Sequence, residues 1–200
     1  METARQRSSR LPSSKIRHRG LSVSFRLLFL AGLIAHGAFA GAHESTALQD
    51  EAAISALTVG YAQATDEIGN GDVAAGKLKY AKCFTDDAKF EALFPNRDIQ
   101  KRSDPNAWAD FVLSAFQGAG YTTTQHLVGT IDVTVTGDNA TMTSEVHATH
   151  VLPDGGMDIA NGKYTDTVIR TTNGWRISER KLKLITFLYV PPGKPKVGGE

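Results

Sequence analysis

Cysteine is nearly missing from this chain: Cys83 is the only one in 200 residues. No intramolecular disulfide can form, so the fold must hold by packing even in an oxidising compartment. Within the helical pattern of 77–84, a lone cysteine reads as a buried, inert thiol. The most apolar run, 27–39, contains His36 and two glycines and falls short of the ~20 residues that a resident helix needs to cross a hydrocarbon core. The sequence also lacks a phosphate-binding glycine loop, a metal-spaced cysteine cluster, a nucleophile elbow and any internal repeat. Neither a metal nor an organic cofactor is therefore expected.

Basic charge is scarce outside the N-terminus. Seven of the 22 Lys and Arg residues but one of the 21 acids fall in 1–40, leaving fifteen bases against twenty acids and a formal charge of −5 on the rest. An acidic body without a basic stripe has nothing to grip a phosphate backbone, which excludes nucleic acid as a partner. The basic segment, the apolar run and the ending Ala38-Phe39-Ala40 have the layout of a secretory signal peptide. Cleavage after Ala40 would export a domain over 41–188 with a flexible tail at 189–200, periplasmic or extracellular and without a stable membrane span.

Apolar residues make up 41% of the chain, ordinary for a globular domain with a core. Leu48, Ile54, Leu57, Tyr61 and Ile68 recur at helical spacing and predict a helix over 47–68, stopped by Gly69-Asn70-Gly71. A second helix is predicted from Asp72 to Cys83. Thr85-Asp86-Asp87 then breaks the pattern before a strand over 88–94. Ser103-Asp104-Pro105 opens a third helix, which Gly118 and Gly120 end. Beyond it the period changes to two, and strands are predicted over 122–136, 140–152, 162–172 and 175–188. The resulting expectation is an α+β fold: a cone-shaped roll in which a strongly curved, mostly antiparallel sheet wraps three N-terminal helices and encloses a pocket.

Chemistry must then come from titratable groups that periodicity sends into that pocket. On the first helix, Val59, Ala62 and Asp66 form an apolar stripe ending in a carboxylate, which is costly unless something pairs with it. Alternation in 140–152 points His150 inward and His147 outward. His126 shares parity with Val128 but not with Ile131, Val133 and Val135, so it faces inward if the strand bulges near Gly129. One Asp and two His in an apolar pocket would suit a base held by an orienting carboxylate. Phe90, Trp108, Phe111, Met142, Val146 and Tyr164 are the candidates for lining the cavity or the core, and with Thr65 they make up the expected substrate-binding set.

The segment Thr124-Gln125-His126-Leu127-Val128-Gly129 resembles the part of scytalone dehydratase that carries its catalytic histidine, and the resemblance to the SnoaL-like branch of the nuclear transport factor 2-like superfamily extends over 46–188. It places Asp66 and His150 where that enzyme has its aspartate and second histidine. Related cofactor-free eliminations, those of hexachlorocyclohexane dehydrochlorinase and bile acid 7α-dehydratase, share the aspartate and the first histidine. The resemblance implies a lyase of dehydratase or elimination type, or an isomerase, with His126 as general base, Asp66 orienting it and His150 as acid or shuttle. Its substrate would be a small apolar cyclic or polyketide-like molecule. Thr65 and Phe90 stand where scytalone dehydratase has tyrosines, so the substrate differs. The alternatives are a secreted small-molecule-binding protein without turnover and a homo-oligomeric interaction module built on the sheet.

Overall fold

The computed structural model describes the backbone of residues 31–193 and the side chains of residues 46–193. Residues 1–30 of the expected export signal (1–40) and residues 194–200 of the expected tail lie outside the described residues.

Helix α1 spans Ala31–Gly69. It begins well before the predicted start at 47, because the alanine-rich segment ahead of it favours helix. Its inward stripe is Ile54, Leu57, Thr58, Tyr61, Thr65 and Ile68; Leu48 and Val59 are exposed. The stripe predicted through Val59 is therefore rotated by about one residue, or 100°, and Asp66 sits at its edge. Helix α2 (Val73–Cys83) is capped by Asp72, whose Oδ1 accepts from Ala75 N–H at 3.0 Å. Cys83 is buried, and burial raises its thiol pKa.

Strand β1 (Phe84–Leu93) starts four residues earlier than predicted. Thr85-Asp86-Asp87 does not end the pattern but falls in an irregularity of the pairing between Phe84 and Lys89. Strand β2 (Gln100–Ser103) has no apolar alternation and was not anticipated. Helix α3 (Pro105–Ala119) opens on the Asp104 cap, with Oδ1 2.7 Å from Ala107 N, and closes on Gly120 at a left-handed φ of 78°. Four strands follow: β3 (Thr123–Thr136), β4 (Asn139–Val151), β5 (Met157–Thr171) and β6 (Gly174–Val190). Strand β5 begins five residues before the predicted start, which brings Asp158 into the sheet, and β6 continues two residues beyond 188.

The sheet order is β2-β1-β6-β5-β4-β3, with β1 parallel to β6 and every other pair antiparallel. The sheet is curved and does not close. Its concave side carries an aromatic core: Tyr80 stacks on Tyr61, and Phe84, Phe90 and Trp108 follow at centroid spacings of 4.7 and 5.0 Å. Below this stack lies a buried ion pair. The Arg180 guanidinium meets Asp166 through two bonds of 2.8 and 2.6 Å and lies over the rings of Tyr61 and Tyr164. Burial opposes the charge on Arg180, but Asp166 outweighs it and keeps the guanidinium pKa above its ordinary value. Among the described residues no helix is long and apolar enough to cross a membrane.

Candidate active site

The last turn of α1 is latched to the start of β3. A side chain at Gly69 would collide with Thr124, so glycine is what lets the helix end lie against the strand. Asn70 Oδ1 accepts from the Thr124 N–H at 3.1 Å and from the Thr123 hydroxyl. These contacts bring Asp66 alongside β3. Its Oδ1 accepts from Thr124 Oγ1 at 3.1 Å and lies 2.7 Å from His126 Nδ1, while Oδ2 accepts from the His126 backbone N–H at 3.0 Å. A carboxylate held by three donors cannot rotate freely. It also fixes the imidazole: with Nδ1–H donated to Asp66, the lone pair resides on Nε2.

His126 faces inward because β3 changes phase. The pairing with β4 shifts between Gly129 and Asp132, and Thr130 takes a left-handed φ of 47°. Before this bulge the even-numbered residues Thr124, His126 and Val128 turn inward; after it the odd-numbered Ile131 and Val133 do. The bulge expected near Gly129 is thus present.

His150 lies across the ladder on the inner face of β4, and His147 lies on the outer face, as alternation requires. The two inward rings meet edge to face with centroids 5.4 Å apart. His150 Nδ1 is 3.2 Å from the Asp158 carbonyl oxygen, to which it donates, so its Nε2 is also left as an acceptor. Burial holds the His150 pKa down to about 4; the neighbouring His126 adds to this and the Asp158 carbonyl partly opposes it. His150 is therefore neutral at physiological pH. Tyr121, just beyond α3, places its ring 4.8 Å from that of His150 and donates to Asp158 Oδ2 at 2.7 Å. Phe116 of α3 touches both histidines.

These groups form the polar end of a cavity of about 900 Å³ whose remaining walls are mostly apolar. Of the expected lining residues, Thr65, Trp108, Phe111, Val146 and Tyr164 contribute to the wall, as do His126 and His150. Asp66 stands behind His126 and does not line the cavity. Two expectations need correction. Phe90 is sealed between Phe84 and Trp108, and Met142 lies on the inner face of β4 eight positions from His150; both are fully buried core residues away from the cavity. Thr65 donates to the Tyr61 carbonyl at 2.9 Å and shares a 2.7 Å hydrogen bond with the Tyr80 hydroxyl. Tyr61, Tyr121 and Asp158 belong to the wall but were not anticipated. Tyr61 read as core, and Asp158 followed the Pro153–Gly156 turn signals; only its alternation with Ala160 marked it as inward.

A family model for the SnoaL-like domain matches residues 46–181. No curated protein matches the chain in sequence. Among solved structures, a candidate aromatic ring hydroxylase from Novosphingobium aromaticivorans is 26% identical, with a TM-score of 0.58, covering 72% of this chain and 94% of its own. A candidate scytalone dehydratase from the same organism is 20% identical at a TM-score of 0.58, covering 76% and 99%. The hexachlorocyclohexane dehydrochlorinase LinA-type3 from Novosphingobium barchaimii is 17% identical at 0.62, also covering 76% and 99%. The last two likenesses establish a shared fold.

Proposed function

The chain belongs to the SnoaL-like domain family, and from that premise we propose that it is a cofactor-independent lyase, or an isomerase using the same proton chemistry, acting on a small, largely apolar cyclic molecule. The observation that carries this reading is the 2.7 Å contact between Asp66 Oδ1 and His126 Nδ1, with the far side of the imidazole facing the cavity. His126 Nε2 removes a proton from a carbon made acidic by a neighbouring electron-withdrawing group. Asp66 stabilises the imidazolium that forms and keeps the ring in its tautomer. The C–H pair becomes the new C=C bond, the bond to the leaving group breaks, and the proton on His126 departs with that group. In an isomerase it returns to another carbon instead.

His150 takes a different part from the acid suggested by resemblance. A neutral imidazole with Nδ1–H already donated has no proton to give, so it serves as a hydrogen-bond acceptor for the substrate. The fold neighbours named for a dehydratase and a dehydrochlorinase would use this same kind of step, which favours elimination. We also propose that the domain is exported after removal of residues 1–40, which N-terminal sequencing of the secreted or periplasmic form would check.

The site reading is tested by titrating the histidine ring protons by NMR in the wild type and in Asp66→Asn, with His126 identified by His126→Gln. A His126 ring whose signals respond to the neutralisation of Asp66, together with turnover in a screen of cyclic elimination substrates, supports it. A His126 that titrates without regard to Asp66 overturns the coupled pair. Ligand retention without turnover would instead make the protein a binding protein of the same fold.

A further inference from the structure

Asp158 is the one cavity-wall carboxylate that nothing in the proposed reaction uses. Asp104 caps a helix, and three other partly or fully buried aspartates meet a cation or an imidazole: Asp166 has Arg180, Asp50 has Arg170 and the Trp175 Nε1–H, and Asp66 has His126. Asp158 has none among the described residues. Its Oδ2 takes the neutral Tyr121 hydroxyl, and Oδ1 has no donor among the described residues. A half-buried carboxylate in an apolar cavity is costly without a further donor. Its direction is fixed all the same, because Tyr121 packs at a tilt against His150 and the Asp158 carbonyl anchors the same imidazole. Burial, and then the bond to Asp158, raise the Tyr121 pKa, so the phenol stays protonated as a donor. Two acceptors therefore stand together at this end of the cavity: His150 Nε2 and Asp158 Oδ1.

We propose that Asp158 is a specificity residue that receives a hydrogen-bond donor, a hydroxyl or a protonated amine, carried by an otherwise apolar cyclic ligand. The inference rests on reading the cavity as a small-molecule site and narrows the class of ligand: a ring bearing a donor is accepted beside Asp158 and His150, whereas a ring bearing a carboxylate is repelled there and has Arg97, Asn96 and Gln100 among the wall's donors.

The test is calorimetric titration of the full-length protein with 2-naphthol, (2-naphthyl)methylammonium, 2-methylnaphthalene and 2-naphthoate. A hydrogen bond to a charged group is worth about tenfold or more in affinity. The wild type should therefore bind naphthol or the ammonium about tenfold tighter than methylnaphthalene, and naphthoate weakest. The stronger of the first two identifies the natural donor. Asp158→Leu should bring the preference to within about twofold. Because leucine also alters packing against Tyr121, Asp158→Asn provides a same-shape control that should lose about tenfold for the ammonium probe. A preference that survives in both variants overturns the proposal, as does a wild type that binds methylnaphthalene as well as the donors or binds none of the probes. His126→Gln should keep the preference. A failed elimination reading therefore leaves this result standing, and the reverse outcome refutes only the role of Asp158.

Discussion

Two of the domain's carboxylates, Asp166 and Asp66, are each held against a nitrogen base, and their surroundings make them opposites. Asp166 and Arg180 face each other across β5 and β6 at full burial, covered by Tyr61 and Tyr164, with opposite charges paired although Arg180 Nη1 has no hydrogen-bond partner among the described residues. Asp66 and His126 join a helix end to an edge strand, and the imidazole turns its free nitrogen to a cavity. The first pair has no face left for a ligand; the second is built around one. A short distance between opposite charges therefore says little about function until the unoccupied side of the base is known.

The largest expected effect separates the pairs by rate. His126→Gln should lower turnover of an elimination substrate by about 10²–10⁴-fold while leaving the protein folded in circular dichroism. A smaller loss with good folding would remove the base from His126. Next comes stability. Arg180→Met leaves Asp166 buried and alone and should cost about 3–5 kcal/mol in urea unfolding, and adding Asp166→Leu should restore much of that; failure of the double variant to recover would make the pair more than a matched burial.

A third effect comes from the neighbour of the second pair. Since the His150 pKa is near 4 in the folded state and ordinary when unfolded, only the unfolded chain takes up the proton as pH falls from about 6.5. Stability should then drop by about 3 kcal/mol between pH 6.5 and 4 and level off below that. His150→Phe should flatten this slope when urea midpoints at pH 7 and 4.5 are compared with wild type. The smallest effect concerns the bulge that turns His126 inward. Thr130 is β-branched at a left-handed φ, so Thr130→Gly should raise the unfolding free energy by about 1 kcal/mol. A loss of stability would show that the Thr130 side chain offsets its own strain.

Much of this contrast is legible in the sequence, though unevenly. The alternation around His150 is clean, whereas the parity conflict between His126 and Ile131 leaves the facing of His126 open, and only the shifted pairing of β3 with β4 turns it inward. The Arg180–Asp166 pair is hidden: Glu179-Arg180-Lys181 reads as a solvated charge run, and only the cross-strand register of β5 and β6 brings Arg180 to a buried aspartate. Strand β2 is invisible because an edge strand of Gln, Lys, Arg and Ser has no apolar face to bury. Phe90 and Met142 were misplaced for a related reason. Periodicity reports that a side chain points inward, but it does not separate the packed part of the interior from the part left open.

The change of phase in β3 also means that the site depends on chain length as well as on residue identity. Substituting Thr130 leaves both halves of the strand facing as they do. Deleting one residue from 129–130 would put the halves in step, and His126, Ile131 and Val133 could then face inward together along a regular strand. At the present length the bulge is obligatory: straightening β3 would turn either His126 out of the cavity or Ile131 and Val133 out of the core.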